Sequence, residues 1–119
     1  MKYRLKSLAI ATVFAAGTAF AAEIQVETAA GPKTVSTPVE TIAVFDIAAV
    51  DTLDKLGVKL AGLPSNLYLK ELAHLQDGAT AVGDIFEPDL EALSALAPDL
   101  IILGGRSSTK VDAATKVAP

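Results

Sequence analysis

Two short, uninterrupted apolar runs limit what this chain can fold into. Thr41–Phe45 (TIAVF) and Leu100–Leu103 (LIIL) are too short for typical helices, and neither alternates apolar with polar residues. Continuous runs of this length are typical of strands that are covered on both faces, as in the parallel sheets of α/β proteins. We therefore expect strands and helices to alternate along the chain.

Helix signals lie between these runs. Asp46 is placed to cap a first helix, because its carboxylate can accept hydrogen bonds from the free N–H groups of the first turn, and Gly57 is a natural helix end. Pro88 indicates the start of a second helix, and Pro98 its end. The other predicted elements are a hairpin over Glu23–Ser36 that turns at Ala30–Pro32, short strands at Val58–Leu63 and Ala81–Gly83, a short helix or partly buried loop within 65–80, and a helix over 107–116 capped by Ser107 or Ser108.

These elements predict an α/β fold, with a parallel sheet flanked by helices and a short N-terminal hairpin before it. Ligands of such sheets bind outside the carboxyl ends of the strands. In this chain the predicted ends lie at Phe45–Asp46, Leu63–Tyr68, Gly83–Glu87 and Gly104–Ser108.

The first 21 residues resemble a secretory signal peptide. Basic residues at positions 2, 4 and 6 precede an uncharged run from Leu8 to Phe20, and Ala19 and Ala21 supply the small residues of a cleavage site. The uncharged run is shorter than the roughly 20 residues that a membrane-spanning helix needs. We therefore expect cleavage after Ala21, export to the periplasm without a stable membrane anchor, and a mature domain over residues 22–119.

Composition argues against several classes of function. The chain has no Cys and one His, His74, so it can form neither a disulfide framework nor a zinc site with several histidines. Without its three N-terminal basic residues, seven basic residues remain against 14 acidic ones, which opposes a nucleic-acid partner. The sequence contains no nucleophile with a base at a known spacing and no phosphate-binding loop, so nothing in it indicates an enzyme. An exported metal-ion-binding or structural domain remains an alternative.

The stretch Phe86–Arg106 (FEPDLEALSALAPDLIILGGR) resembles a motif of substrate-binding proteins from ABC importers of ferric siderophores, haem and cobalamin. Val44–Val58 (VFDIAAVDTLDKLGV) is similar to the first strand and helix of the same family. The Phe-Asp turn and the Gly-Gly-Arg loop are most similar to the branch that binds ferric catecholate siderophores. The resemblance implies a monomer that captures a ferric siderophore and delivers it to an inner-membrane permease, with no cofactor of its own. Haem or cobalamin is the alternative ligand within the family.

The resemblance spans roughly residues 34–119 and implies the first lobe of a two-lobed protein. Family members continue past the position of Pro119 into another strand and a long connecting helix. We therefore expect this sequence to be a truncated, N-terminal part of such a protein. Weak ligand binding and marginal stability are expected of one lobe alone.

Arg106 is the strongest candidate ligand contact. It is the only Arg after the predicted signal peptide, and guanidinium donors suit the oxygens of an anionic ferric catecholate. The adjacent Gly105 allows a sharp turn and a close approach by a bulky ligand. The other candidate contacts, all near predicted strand ends, are Phe45, Tyr68 and Phe86.

Two further residues receive roles outside the ligand pocket. The resemblance implies that Glu91, in the Leu-Glu pair of the motif, docks onto arginines of the permease. His74 lies in the least readable stretch of the chain and is expected to be a surface histidine rather than an iron ligand.

Overall fold

A hairpin and a four-stranded parallel sheet organise the chain, which the computed structural model describes over residues 20–119. The strands are β1 (Ala22–Thr28), β2 (Gly31–Thr37), β3 (Ile42–Val44), β4 (Gly62–Leu63), β5 (Thr80–Ala81) and β6 (Leu100–Ile102). The helices are α1 (Ile47–Lys55), α2 (Leu90–Leu96) and α3 (Val111–Ala114), and Lys70–Gly78 and Gly105–Lys110 are 3₁₀ segments. This arrangement confirms the predicted fold class and the N-terminal hairpin. The predicted signal peptide lies outside the described residues, apart from Phe20 and Ala21.

The central strand β3 is covered on both faces, as its continuous apolar run predicts. Its side chains alternate between two buried clusters. Ala43 packs on one face with Leu93 of α2, and Val44 packs on the other face with Val50 of α1 and Leu72 of the first 3₁₀ segment. The sheet therefore separates α1 from α2 and α3, because successive side chains of a strand point to opposite faces.

The strand order β5-β4-β3-β6 places a topological switch point between β3 and β6. From β3 the chain moves outward through β4 and β5, and it then returns to pair β6 on the opposite side of β3. All pairs in this sheet are parallel. The connections that leave β3 and β6 run to opposite faces, which opens a crevice at the carboxyl ends of these two strands.

The strands β4 and β5 are shorter than predicted. β4 covers only Gly62–Leu63, because the Val58 N–H is used to bond the Leu53 carbonyl at the end of α1 and the sheet begins at Ala61, whose N–H donates to the Ile42 carbonyl. β5 covers Thr80–Ala81, so it begins one residue and ends two residues earlier than predicted, and the chain turns at Gly83 with a φ of +99°.

Helix starts differ from the prediction at two places. Asp89 rather than Pro88 precedes α2, and its carboxylate accepts the N–H groups of Glu91 and Ala92 at 3.0 Å. The predicted helix over 107–116 with a Ser107 or Ser108 cap is wrong in its beginning. Ser107 is fully buried inside the 3₁₀ segment, where its hydroxyl bonds both backbone groups of Gly104, and α3 starts only at Val111.

The hairpin turns at Ala29–Ala30, and Gly31 and Pro32 already belong to β2. The β1 side chains are exposed throughout, whereas Val35 of β2 is buried. No helix within residues 20–119 combines the length and the apolar character needed to cross a membrane.

Candidate functional site

A concavity of about 300 Å³ lies at the carboxyl edge of the sheet. Four chain segments line it, namely Phe45–Ala48 after β3, Tyr68–Leu69 after β4, Ile85 after β5 and Gly104–Arg106 after β6. The structure thus brings together four predicted ligand residues, Phe45, Tyr68, Gly105 and Arg106. Phe86 lies beside Arg106, and Glu91 lies elsewhere, on α2.

The base of the concavity is formed by Phe45, Asp46 and Gly104, which we call the cleft floor. Phe45 is only 1% exposed, and its N–H donates to the Ile102 carbonyl at 2.8 Å, so it joins β3 to β6. Asp46 caps α1 as predicted, because its Oδ1 accepts the Ala49 N–H at 2.8 Å. Floor residues are therefore held by the backbone and the core.

Gly104 is required by close packing within the floor. Its backbone is extended, with a φ of −168°, which any residue can adopt. A Cβ at this position would stand 2.9 Å from Asp46 Oδ2 and 3.2 Å from Asp46 Cγ. The lack of a side chain lets the β6 end approach the Asp46 cap, and Gly105, with a φ of +50°, then turns the chain toward Arg106.

Tyr68 and Arg106 line the concavity, and Asp84 and Phe86 contact them from outside its lining; we call these four residues the cleft rim. Tyr68 and Phe86 are half exposed, at 54% and 50%. Arg106 Cζ lies 5.9 Å from the centroid of the Phe86 ring, within the range of a cation–π contact. Among residues 20–119, no carboxylate lies within ion-pair distance of Arg106, so its N–H donors remain for an anionic ligand.

Tyr68 is held at the rim by two hydrogen bonds in an unusual backbone conformation. Its φ is +61°, and its N–H donates to Asn66 Oδ1 at 2.9 Å, while its hydroxyl donates to Asp84 Oδ2 at 3.2 Å. Partial shielding from water and the neighbouring Asp84 carboxylate raise the pKa of the Tyr68 phenol, and the Arg106 guanidinium opposes this shift. The rim therefore presents a neutral phenol beside a cation.

Asp84 is a site residue that the sequence analysis missed. Its Oδ1 accepts the Phe86 N–H at 3.0 Å, and its backbone exchanges two hydrogen bonds with Glu87. An Asp two residues before an aromatic residue, between Gly83 and Pro88, is a local signal for such a turn. Its contact with Tyr68, 16 residues earlier, is a tertiary feature without a local signal.

A salt bridge closes the rim from outside. Lys110 Nζ lies 3.0 Å from Glu87 Oε2 and joins the Phe86 turn to the segment that follows Arg106. The Glu87 carboxylate, although next to Phe86, therefore forms an ion pair with Lys110.

His74 lies away from this cleft. Its Nε2 is 3.1 Å from Asp54 Oδ1 of α1, and its Nδ1 is 2.9 Å from the Glu71 carbonyl oxygen. Within the described part of the chain, no group of three or more His, Cys, Asp or Glu side chains is placed to hold a metal ion.

Glu91 is exposed in the first turn of α2, and no basic side chain within residues 20–119 pairs with it. A larger concavity, of about 770 Å³, lies between the hairpin tip and α3. It is lined by no aromatic side chain and by one basic residue, Lys33, whereas Phe45, Tyr68 and Arg106 meet at the smaller concavity.

Comparison with known proteins gives several siderophore-binding relatives. The chain is 42% identical to the petrobactin-binding protein YclQ of Bacillus subtilis over 81 residues, which are 66% of this chain and 26% of YclQ. The YclQ crystal structure matches 82% of this chain and 36% of that chain, with a TM-score of 0.78 and 35% identity. No protein-family model matches the chain.

Two other solved structures match nearly as well. The periplasmic catecholate-siderophore binding protein VctP of Vibrio cholerae has a TM-score of 0.71 and 27% identity over 82% of this chain and 36% of that one. SirA of Staphylococcus aureus, complexed with staphyloferrin B, has a TM-score of 0.70 and 26% identity over 81% and 35%.

These findings confirm the resemblance predicted from the sequence, because the relatives and structural neighbours are siderophore-binding proteins, and a further neighbour is the iron uptake ABC transporter substrate-binding protein PiuA of Streptococcus pneumoniae. They are binding proteins rather than enzymes. Their ligands differ, since petrobactin, a catecholate siderophore and staphyloferrin B are all represented. The chain spans about a quarter of the length of YclQ and about a third of each solved chain.

Proposed function

We propose that this chain, which resembles siderophore-binding proteins of ABC importers, is part of a periplasmic protein that captures a ferric siderophore and delivers it to an importer permease. Residues 1–21 act as the export signal, and residues 22–119 form one lobe of the binding domain. The second lobe closes the cleft from the other side. Binding involves no covalent chemistry, and the iron travels as cargo inside its siderophore.

The observation that carries this proposal is the placement of Arg106 at the switch point of the sheet. Its guanidinium has no carboxylate partner among the described residues and stands over the Phe86 ring. A catecholate siderophore offers anionic oxygens for the guanidinium and flat rings for the aromatic side chains. This pairing favours a ferric catecholate over a ligand without aromatic rings.

The floor and the rim contribute to binding in different ways. The floor is rigid because Phe45 is buried and the Asp46 carboxylate is bonded to the first turn of α1. Gly104 and Gly105 add no side chain to the concavity, which leaves room for a bulky complex. Charge complementarity then comes from Arg106, and ring contact from Tyr68 and Phe86.

Substitution of Arg106 tests the proposal. We expect Arg106→Ala to weaken binding of a ferric tris-catechol complex by about 1.5–3 kcal/mol, which is about 10- to 150-fold, because one charge-assisted contact is lost. The affinity is measured by isothermal titration calorimetry on the 119-residue chain. Lys59→Ala, which removes the same charge from the segment between α1 and β4, serves as the control and should leave the affinity unchanged.

The result has clear alternatives. An Arg106→Ala chain that binds as tightly as the parent removes Arg106 from the site. A parent chain that binds haem or cobalamin but no ferric catechol complex contradicts the siderophore assignment within the family. The chain contains two Tyr and no Trp, so quenching of tyrosine fluorescence gives an independent readout of the same titration.

We also propose that Glu91 docks onto the permease. Its side chain is exposed in the first turn of α2, outside the cleft and without an ion-pair partner in the described region. Glu91→Ala should leave the calorimetric affinity for the ferric complex unchanged and lower iron uptake by cells that carry the importer. Glu27→Ala, an exposed acid on the hairpin, is the matched control. Normal uptake with Glu91→Ala contradicts this role.

A further inference from the structure

Asp84 connects two rim segments that are distant in the sequence. Its Oδ1 accepts the N–H of Phe86, and its Oδ2 accepts the hydroxyl of Tyr68. Both carboxylate oxygens are thus used within the protein, and each one fixes a segment that carries a half-exposed aromatic ring. A carboxylate beside an anionic ligand repels that ligand, so attraction to the ligand does not explain the position of Asp84 at the rim.

The Tyr68 segment needs such a tether. A φ of +61° is a sparsely populated conformation for a residue with a side chain, and it persists where surrounding contacts hold it. Asn66 holds the backbone N–H of Tyr68, and Asp84 holds the hydroxyl at the other end of the side chain. The ring is therefore fixed at both ends at the mouth of the concavity that also contains Arg106.

The Phe86 segment is ordered in a similar way. Asp84 binds the N–H of Phe86 and exchanges two backbone bonds with Glu87, which closes a tight turn. Lys110 then pins Glu87 from the side of the 3₁₀ segment that contains Arg106. The turn places the Phe86 ring under the guanidinium at 5.9 Å.

We propose that Asp84 is a positioning residue that holds the rings of Tyr68 and Phe86 in place beside Arg106, so that the cleft selects ferric complexes whose chelating groups are flat aromatic rings. This inference rests on the proposed function and adds to it the residue that sets the preference for aromatic chelators. Asp84 acts through the two rings and does not itself contact the ligand. A preorganised ring loses little further freedom when a ligand stacks on it, which favours tight binding.

The experiment uses the 119-residue chain with Tyr3→Phe, so that Tyr68 is its single tyrosine. Calorimetry compares a ferric tris-catechol complex with ferric citrate, which has no aromatic ring. We expect Asp84→Ala to weaken binding of the catechol complex about five- to tenfold, as expected for a lost ring contact, and to change ferric citrate binding less than about twofold. Asp84→Asn, which keeps a hydrogen-bonding group toward both segments, should restore catechol binding.

The sign of the effect separates positioning from charge. Asp84→Ala removes a negative charge near an anionic ligand, so charge alone predicts tighter binding of both complexes. Asp77→Ala removes an exposed negative charge from the first 3₁₀ segment and serves as the matched control. If Asp84→Ala binds the catechol complex as tightly as or more tightly than the parent, the proposal is overturned.

A spectroscopic readout and a double-mutant cycle keep the test independent of folding defects. Shielding from water and the Asp84 carboxylate both raise the pKa of the Tyr68 phenol, so an absorbance titration should show a lower phenol pKa in Asp84→Ala, which removes the second cause. Tyr68→Phe breaks the same hydrogen bond while it keeps the ring. The double variant with Asp84→Ala should therefore lose less affinity for the ferric tris-catechol complex than the sum of the two single losses. Strict additivity overturns the proposal.

Failure of the inference and failure of the proposed function give different results. A parent chain that binds the ferric catechol complex while Asp84→Ala binds it equally well overturns only the role of Asp84. A parent chain that gives neither heat of binding nor tyrosine quenching with the complex, even at ligand concentrations high enough to detect the weak binding expected of one lobe, overturns the proposed function, and the role of Asp84 with it.

Discussion

The cleft floor and the cleft rim lie at the same edge of the sheet, yet their side chains are used in opposite ways. In the floor, Phe45 is 1% exposed and the Asp46 carboxylate caps α1, so these groups serve the fold. In the rim, the Phe86 ring is half exposed and the Arg106 guanidinium has no carboxylate partner within residues 20–119. The difference teaches that residues at the same edge of a sheet can differ completely in exposure. Substitutions in the floor should change stability, and substitutions in the rim should change affinity.

Phe45→Ala is the largest expected effect and the first way to break this distinction. Truncation of a fully buried phenylalanine between β3 and the helices should lower the free energy of unfolding by about 3–5 kcal/mol, because it removes contacts and leaves a cavity. Urea denaturation followed by circular dichroism measures this change. Phe45→Leu, which keeps most of the volume, is the control and should cost clearly less. A stability loss below about 1 kcal/mol would place Phe45 with the rim instead.

Gly104→Ala tests the close approach inside the floor. The added Cβ would lie 2.9 Å from Asp46 Oδ2, so we expect a loss of about 1–3 kcal/mol in the free energy of unfolding. Asp46→Ala costs about 1 kcal/mol by loss of the helix cap, but it also removes the atoms that the new Cβ meets. The double variant should therefore be more stable than the sum of the single losses predicts. Additive losses in urea denaturation would show that the two positions do not touch.

Phe86→Ala is the smallest expected change in stability and sharpens the comparison from the rim side. Its ring is half exposed, so the free energy of unfolding should change by less than about 0.5 kcal/mol. Loss of the ring beneath Arg106 should nevertheless weaken binding of the ferric tris-catechol complex about two- to fivefold. Calorimetry and urea denaturation on the same preparation separate the two quantities. A stability loss as large as that of Phe45→Ala would assign Phe86 to the core.

The elements with strong local signals were predictable from the sequence. The apolar runs around β3 and β6, the Asp46 cap and the N-terminal hairpin all appear near their expected positions. The predicted helix boundaries were wrong where a hydrogen bond in the folded structure competed with a local preference. Ser107 shows this clearly, because its hydroxyl is taken by the backbone of Gly104 instead of capping a helix, and α3 begins four residues later.

The candidate site was predictable in part and for a definite reason. Strand ends of a parallel sheet meet at one edge, so Arg106, Gly105, Phe45 and Tyr68 could be grouped without coordinates. The exposure of these side chains could not be predicted from the sequence, since a residue at a strand end can point into the core or toward the solvent. Phe45 is buried in the core, whereas Phe86 is half exposed beside Arg106.

Sequence alone determined the α/β class, the edge of the sheet at which the strands end and the resemblance to siderophore-binding proteins, because these follow from periodicity and from contiguous motifs. Only the tertiary structure decided which aromatic residue is buried in the core and which stays half exposed beside Arg106. Only it brought Asp84 to Tyr68 across 16 residues and the Asp46 cap to the Gly104 backbone. The physical reason is that hydrogen bonds and close packing between distant segments depend on how the strands are ordered in the sheet, and strand order leaves no local mark in the sequence.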